Sequence, residues 1–237
     1  KDESGLRNNF TGSGLASTDQ STDTCVENFA TLNSAYYSGG TVTYSEGNLK
    51  FAEADNQWKT TFSTLGASSG KYYAEFKCGG NYTIIGVADY NVTKAGIADR
   101  NFASSTYIST QGYGIYNNNG DLYYRGSSTS YSATFTSGDI IGVGLDCDNN
   151  RLFFSKNGTW QNSADPTSSG TGFAMTATNA TYVFAVAVQN INIECNFGSP
   201  SYSISSGNSD ANGFGNFEYS VPSGYYALNT SNLNTYG

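Results

Sequence analysis

Short runs of alternating apolar and polar residues, joined by Asn and Gly turns, constrain the fold of this chain most. In GVGLDCDNNRLFFSKNG, residues 142–158, a two-residue turn at Asn149 and Asn150 would join two such runs, because Asn tolerates the positive φ of hairpin turns. This turn predicts the cross-strand pairs Asp148 with Arg151, Cys147 with Leu152, and Leu145 with Phe154. The apolar face then contains Val143, Leu145, Cys147, Leu152 and Phe154. Asp146 and Asp148 point to the other face.

The same pattern recurs in GYGIYNNNGDLYYRG, residues 112–126. A turn at Asn119 and Gly120 predicts a second hairpin at this position. Its core face would contain Tyr113, Ile115, Leu122 and Tyr124. Its outer face would contain Tyr116 and Tyr123.

Further alternating runs predict more strands, and they cover residues 42–44, 49–51, 58–62, 72–78 and 82–88. The run YVFAVAV, residues 182–188, is apolar on both faces, which is typical of a central strand covered on both sides. The composition of 19 Tyr, 14 Phe and 28 Gly, with only 13% charged residues, favours strands and turns over helices. The sequence therefore predicts an all-β sandwich of two antiparallel sheets with almost no α-helix.

The chain divides into three parts by composition. Residues 1–40 are polar and rich in Ser, Thr and Asp, which predicts a linker or an extended N-terminal arm. Residues 41–199 form the sandwich, and residues 200–237 form an aromatic C-terminal extension. The apolar anchors of the arm are Phe10, Leu15, Phe29 and Leu32. The aromatic residues of the extension, which should pack on the sandwich or on a partner chain, are Phe214, Phe217, Tyr219, Tyr225 and Tyr226.

The net charge of −8 and the scattered distribution of the 11 basic residues argue against nucleic acid as a partner, because phosphate binding depends on clustered Lys and Arg. The sequence contains no run of 18 apolar residues, so it predicts no membrane insertion. The N-terminus also shows no pattern of a signal peptide.

Besides Cys147, two of the four cysteines lie in alternating runs. In KYYAEFKC, residues 71–78, the core face would contain Tyr72, Ala74, Phe76 and Cys78, and the outer face Tyr73, Glu75 and Lys77. In INIECNF, residues 191–197, Cys195 falls on the apolar face. A buried reduced cysteine behaves as a small hydrophobic residue. Two states remain open, namely free core thiols and a disulfide between Cys78 and Cys195.

The composition also predicts that the chain binds no metal and needs no cofactor. A zinc site is not expected, because the chain has no His and no CxxC motif. The DxDN run that begins at Asp146 could start a calcium loop. The residues that follow it lack the glycine and the distal glutamate of an EF-hand loop, so a hairpin is the preferred interpretation.

Four segments together resemble a SPRY domain, from residue 42 to residue 198. They are KYYAEF, TIIGVAD, GVGLDCDNNRLFFSKNGTW and VFAVAVQNINIECNFG. The resemblance implies a concanavalin A-like jelly-roll sandwich that binds partners through its loops. Relatives of this fold include lectins and glycan hydrolases.

The flanking segments resemble SPRY-containing tail and fibre proteins of tailed bacteriophages. These segments are DESGLRNNFTGSGLASTDQSTDT, NFATLN and GFGNFEYSVPSGYYALNT. The resemblance implies a virion surface protein that contacts other virion subunits and forms a homo-oligomer, with a trimer favoured. The domain that often precedes SPRY in such proteins is not present in the sequence.

The absence of histidine excludes Ser-His-Asp and Cys-His catalysis, so only the carboxylate chemistry of glycosidases remains. Glycan-cleaving relatives of the fold carry an ExDxxE-like run on one strand. The nearest match is Glu53 with Asp55, which lacks the third acid. Asp146 and Asp148 share a face, but a hairpin end is a poor place to desolvate a general acid. The sequence therefore predicts a protein that is not an enzyme and has no catalytic residues.

The long loops carry the residues that could contact a ligand. Sugar rings stack on exposed aromatic side chains, and polar groups beside them supply hydrogen bonds. The candidate ligand-binding residues are Tyr90, Asp99, Arg100, Tyr107, Tyr131 and Trp160. The alternative for each is an ordinary packing or subunit-contact surface, because aromatic residues are abundant throughout the chain.

These observations predict a non-enzymatic phage virion surface protein, attached at a fibre, tail or capsid, that binds a host surface glycan through its sandwich loops. Its location would be extracellular, on the virion. Two alternatives remain open. The chain could be a purely structural or decoration subunit of the particle, or it could be a bacterial extracellular adhesin or filament subunit.

Overall fold

The computed structural model describes residues 27–36, 41–90, 112–124, 126–176 and 180–237. The first strands are β1 (Val42–Ser45), β2 (Lys50–Glu53), β3 (Lys59–Ala67), β4 (Lys71–Cys78), β5 (Thr83–Asp89), β6 (Gly112–Tyr116), β7 (Asp121–Tyr124) and β8 (Ser127–Ser130). The later strands are β9 (Ile140–Asp146), β10 (Arg151–Lys156), β11 (Thr159–Trp160), β12 (Phe173–Ala174), β13 (Tyr182–Val188), β14 (Asn192–Asn196) and β15 (Tyr226–Ala227). A short helix, α1 (Thr230–Tyr236), lies near the C-terminus.

These strands form two sheets, which confirms the predicted all-β sandwich. The nine-stranded sheet has the order β1-β2-β14-β4-β9-β10-β11, with β12 beside β10 and β15 beside β4. The six-stranded sheet has the order β3-β13-β5-β6-β7-β8. Neighbouring strands are antiparallel, apart from the short parallel pair of β15 and β4. Among the described residues, no helix is long and apolar enough to cross a membrane.

The main core lies between the two sheets, where the apolar faces of the alternating strands meet. Phe76 of β4 contacts Phe184 of β13 with ring centroids 6.0 Å apart, and it contacts Phe197 at 5.8 Å. All three side chains are fully buried. Burial of one Phe side chain is worth about 1.5–3 kcal/mol relative to exposure. This cluster therefore contributes strongly to holding the two sheets together.

Strand β13 is central and buried on both faces, as its apolar sequence predicted. It pairs with β3 on one side and with β5 on the other. Phe184 and Val186 point into the main core, whereas Val183 and Ala185 belong to a second cluster on the outer face of the six-stranded sheet. A run that is apolar at every position is therefore explained by apolar packing on both sides.

The hairpin of β9 and β10 has the predicted faces but a different register. Arg151 pairs with Asp146, and Leu152 pairs with Leu145, so the predicted pairs of Arg151 with Asp148 and of Leu152 with Cys147 are wrong. The connection has four residues, because the Asp146 carboxylate accepts hydrogen bonds from the backbone N–H and the side chain of Asn149. A shift of two residues keeps each side chain on its predicted face.

The hairpin of β6 and β7 differs from the prediction in the same way. A two-residue turn would pair Ile115 with Tyr124, but Ile115 pairs with Leu122. Asn117 does not pair with β7. Its buried side chain instead accepts a hydrogen bond from Thr83 N at 2.9 Å and donates one to the carbonyl of Phe135 at 3.2 Å. Long-range hydrogen bonds of one side chain therefore widen the turn.

The C-terminal extension packs on the outer face of the nine-stranded sheet of the same chain. Phe217 contacts Tyr73 with ring centroids 5.2 Å apart, and Tyr225 contacts Phe153 at 6.3 Å. Phe29, from the part of the N-terminal segment that is described, belongs to the same buried cluster. Phe214, Tyr219 and Tyr226 are half-buried and lie nearer the surface, and the anchors Phe10 and Leu15 lie outside the described residues. The anchor Leu32 is buried in the main core.

Glu75 joins this extension to β4. Its side chain is fully buried and accepts hydrogen bonds from the backbone N–H groups of Glu218 at 2.9 Å and Tyr219 at 2.8 Å. The Tyr73 hydroxyl also donates to it at 3.1 Å. The predicted outer face of β4 is thus an internal surface, and its carboxylate is satisfied by the segment that covers it.

The described cysteines are free. Cys78, Cys147 and Cys195 are buried thiols, so the alternative disulfide between Cys78 and Cys195 is not formed. The two residues lie on neighbouring strands but do not face each other, since Cys78 pairs with Ile193 and Cys195 pairs with Phe76. Burial raises the pKa of all three thiols, and that of Cys147 rises to about 12. These thiols are therefore protonated at neutral pH and act as core residues.

Candidate functional site

The structure does not bring the predicted ligand-binding residues together. Tyr90 directly follows β5 and is 48% exposed. Trp160 belongs to β11 in the other sheet. Asp99, Arg100 and Tyr107 lie outside the described residues. The predicted cluster of loop residues is therefore not seen as a single site.

Tyr131 is not available for stacking on a ligand, so its prediction as an exposed aromatic residue is wrong. Only 6% of the residue is exposed. Its ring packs against Phe154 and Phe173 in the core, with centroids 5.6 Å and 6.4 Å apart. Burial also raises the pKa of its hydroxyl to about 12. The polar sequence around Tyr131 indicated a loop, but the loop turns this ring inward.

Trp160 is half-buried beneath the C-terminal extension. Its ring lies 6.4 Å from that of Tyr73, on the outer face of the nine-stranded sheet. Tyr90 extends from the six-stranded sheet, on the other layer of the sandwich. One small ligand therefore cannot contact Trp160 and Tyr90 together.

A different set of aromatic side chains does meet, on the outer face of the six-stranded sheet. Trp58 lies just before β3, and its ring is 5.9 Å from that of Tyr116. Tyr116 in turn lies 5.9 Å from Tyr123. All three rings are half-buried and rest on the second hydrophobic cluster, which includes Ile84. With Tyr82, described next, these residues form what we call the aromatic surface.

Tyr82 is the exposed member of the aromatic surface. It directly precedes β5 and is 47% exposed, and it lies two residues before Ile84, which pairs with Tyr116. Its φ is 61°, which is rare for a bulky residue and costs about 1–3 kcal/mol. The Tyr82 carbonyl accepts a hydrogen bond from Gln189 N at 3.1 Å. The neighbouring strand end therefore holds this backbone in place.

Amide side chains border the aromatic surface. Asn118 donates a hydrogen bond to the Tyr116 hydroxyl at 2.9 Å, and Asn119 donates to the Tyr123 hydroxyl at 3.3 Å. Both asparagines are exposed. On another strand end, Gln189 Nε2 donates to the carbonyl of Asn56 at 2.9 Å. Oriented hydroxyl and amide groups thus surround half-buried ring faces, an arrangement that can bind a ligand with both apolar and polar surfaces.

Half of the aromatic surface follows from the sequence. The alternation in the second hairpin placed Tyr116 and Tyr123 on the face opposite the core, which is confirmed. For Trp58 and Tyr82 the sequence predicts only that they belong to strands, because no local pattern shows which strands lie side by side. One feature of the sequence does group Trp58 and Tyr82 with Tyr116 and Tyr123. All four lie at or near the ends of predicted strands and point away from the core.

The acidic residues of the hairpin form an ion pair and structural hydrogen bonds. Asp146 is fully buried and pairs with Lys71 at 3.0 Å. Asp148 is exposed and accepts a hydrogen bond from Gly70 N at 2.7 Å. Within the described ranges, no group of three or more His, Cys, Asp and Glu residues is placed to hold a metal ion.

Glu53 and Asp55 are likewise engaged in shaping a loop. The Glu53 carboxylate accepts hydrogen bonds from the backbone N–H groups of Asp55 and Asn190. Asp55 forms an ion pair with Lys59 at 3.3 Å. These bonds join the turn before Trp58 to the end of β13. The two carboxylates therefore help to position the aromatic surface.

Comparison with known proteins identifies the sandwich. A family model of the SPRY domain matches residues 71–200. The crystal structure of the SPRY domain of human HERC1 is 19% identical in sequence, with a TM-score of 0.50, and the match covers 65% of this chain and 91% of that chain. At this identity the likeness shows the fold alone. A search of curated proteins finds no match to the sequence.

Proposed function

Because this chain belongs to the SPRY-domain family, whose members are generally non-catalytic interaction modules, we propose that it is a recognition module that performs no chemistry. The engagement of Asp146 with Lys71 and of Glu53 with backbone amides supports this proposal. A general acid or base must reach the substrate proton, and these carboxylates already serve internal partners.

We propose that the ligand is a glycan of a host cell surface, bound by a phage virion protein. The aromatic surface is the observation that carries the glycan proposal. Aromatic rings bury the apolar face of a sugar, and nearby amides and hydroxyls bind its hydroxyl groups. The phage context rests on the resemblance of the flanking segments to tail and fibre proteins.

The charge of the chain narrows the class of glycan. With 19 acidic and 11 basic residues, the net charge is −8. An acidic protein repels acidic polysaccharides over the range of its field. We therefore expect a neutral polysaccharide to bind more tightly than a uronate-rich one, and the difference should diminish as salt is added.

The test is binding of the purified chain to an array of bacterial surface polysaccharides, comparing Tyr82→Ala with Tyr90→Ala. The two tyrosines are 47% and 48% exposed and lie at opposite ends of β5, so they are matched controls for each other. Loss of one stacking ring should weaken binding about tenfold, which corresponds to about 1.4 kcal/mol. We expect that loss for Tyr82→Ala and wild-type binding for Tyr90→Ala.

If Tyr90→Ala weakens binding and Tyr82→Ala does not, the ligand binds at the Tyr90 end of β5. That result would contradict the proposal that the aromatic surface is the binding site. Saturable binding should also survive chelation of calcium, because Lys71 already neutralises Asp146. If a folded sample binds no polysaccharide at all, the glycan proposal fails, and a structural or decoration role in the particle replaces it.

A further inference from the structure

The two edges of the six-stranded sheet differ. The edge at β3 is occupied by the segment before β1, since Asn33 N donates to the Phe62 carbonyl at 2.8 Å and Thr64 N donates to the Thr31 carbonyl at 2.7 Å. The other edge is β8, which pairs with β7 alone. In the part of the chain that the structure describes, no further backbone partner approaches β8.

Within the described residues, strand β8 has no charged residue, proline, bulge or covering segment, although it is only four residues long. Natural proteins block such edges with charged residues, proline, bulges or a covering segment. The four residues of β8 are uncharged and exposed, and they pair with β7 without a bulge. An edge of this kind can accept an extended peptide as an additional strand.

The inner side of this edge favours apolar residues in the added strand. Ser127 pairs with Tyr124, and Thr129 pairs with Leu122, so these small side chains face the core side of the sheet. Beneath them, the half-buried rings of Tyr124 and Phe173 lie 5.1 Å apart. An added strand would direct every second side chain toward this region, where an apolar residue would cover the two rings.

The outer side of the edge favours a positive charge. Ser130 pairs with Asp121 of β7, so both side chains face the outer side. A residue of an added strand opposite Ser130 would lie about 10 Å from the β7 backbone, slightly beyond the Debye length of about 8 Å at physiological salt, so its attraction to Asp121 should be strongest at low salt. The net charge of −8 also attracts a positively charged peptide and repels an acidic one.

We propose that β8 is a docking edge for an extended segment of another protein, basic or neutral in charge and apolar at alternate positions. This segment joins the six-stranded sheet as a seventh strand. This proposal is independent of the glycan proposal, because it rests on the backbone hydrogen-bonding groups of β8 and not on the aromatic surface.

The experiment uses three synthetic peptides whose sequences derive from β7, the strand that already pairs with β8. They are GKLYYRG, the neutral GDLYYRG and the acidic GELYYEG, each with a fluorescent label. Fluorescence polarisation measures their affinity for the whole chain. We expect the basic peptide to bind about tenfold more tightly than the acidic one at low salt. Peptide binding should also slow hydrogen exchange of the amides of Ser127–Ser130.

Two proline variants, Ser128→Pro and Thr129→Pro, test whether the peptide uses the edge. Successive residues direct their backbone groups to opposite edges of a strand, so one variant removes an outward N–H and the other removes a bond to β7. The variant that keeps the wild-type Tm should lose at least about tenfold in affinity for the basic peptide. The variant with the lower Tm identifies the residue bonded to β7.

Three results would overturn the proposal. The first is that none of the peptides binds or slows exchange in β8. The second is that the variant with the wild-type Tm binds the basic peptide as well as the wild type does. The third is that sedimentation shows a dimer that this variant dissociates, because the occupant of the edge is then a second copy of the chain. Tyr82→Ala, which should weaken glycan binding, should leave peptide binding unchanged. The two proposals can therefore fail independently.

Discussion

The burial of Glu75 shows that the C-terminal extension covers the outer face of β4. The alternation of Glu75 with Tyr73 placed it on the outer face of β4, where a carboxylate would ordinarily be solvated. Instead it is fully buried, and it accepts hydrogen bonds from the extension at Glu218 and Tyr219. Burial raises the pKa of Glu75, although the hydrogen-bond donors around it oppose part of that rise.

The raised pKa predicts how stability depends on pH. A carboxyl group whose pKa is higher in the folded state binds its proton more tightly when folded. Its contribution is therefore fully present below the unfolded pKa and is lost as the pH rises through the folded pKa. The free energy of unfolding of the wild type should fall across this range. In Glu75→Gln, which cannot titrate, that component of the fall should disappear.

Urea unfolding at a series of pH values measures this effect. Glu75→Gln should lie closest to the wild type in stability at low pH, where Glu75 is also protonated and neutral, and the two free energies of unfolding should diverge as the pH rises. If the free energies of unfolding of the two proteins change with pH in parallel, Glu75 has the same pKa in the folded and unfolded chains, and the prediction is wrong. Glu46→Gln is a suitable exposed control.

At the scale of elements, the C-terminal extension is organised by a second buried carboxylate. Asp210 accepts hydrogen bonds from Phe214 N and Ala227 N, each at 2.9 Å, and from Asn232 Nδ2 at 2.8 Å. Asn229 caps the helix that follows, since its side chain accepts from Asn232 N. These contacts join a turn, β15 and α1 into one unit, although the extension contains little regular secondary structure.

Asp210→Ala should therefore weaken the whole extension. Removal of the carboxylate leaves several buried donors unsatisfied, at about 1–3 kcal/mol each, so we expect a loss of at least about 3 kcal/mol in the free energy of unfolding. Hydrogen exchange should accelerate in β15 and α1 more than in β13. Asp165→Ala removes an exposed aspartate that bonds only within its own loop, and it should change stability little. Uniform acceleration throughout the sandwich would contradict a local role for Asp210.

At the scale of the whole molecule, the sandwich has one inner core and a further apolar cluster on the outer face of each sheet. The C-terminal extension covers the outer face of the nine-stranded sheet. The outer face of the six-stranded sheet carries the aromatic surface, and β8 forms the open edge of the same sheet. The two proposed interactions therefore both belong to the six-stranded layer.

The resemblance to fibre proteins leads to a prediction about assembly. We expect the chain to form a stable homo-oligomer, with a trimer favoured, because such proteins commonly form trimers. Sedimentation equilibrium at several concentrations measures the mass directly. A chain of 25.2 kDa that remains monomeric at all concentrations would contradict the fibre proposal, while it would leave glycan binding by a single module intact.

The sequence by itself determined the period-two alternation, and therefore the class of fold and the face on which most strand residues lie. A side chain's face depends on parity alone, which is why a register shift of two residues in both hairpins left every predicted face correct. Only the tertiary structure decided the register of the β6–β7 hairpin, because Asn117 bonds Thr83 and Phe135, far along the chain. The β9–β10 turn depends instead on the local bonds between Asp146 and Asn149. The tertiary structure also decided that Tyr131 is buried and that Trp58 and Tyr82 join Tyr116. These outcomes depend on which strands become neighbours, and that is set by packing between residues distant in sequence, which no local pattern records.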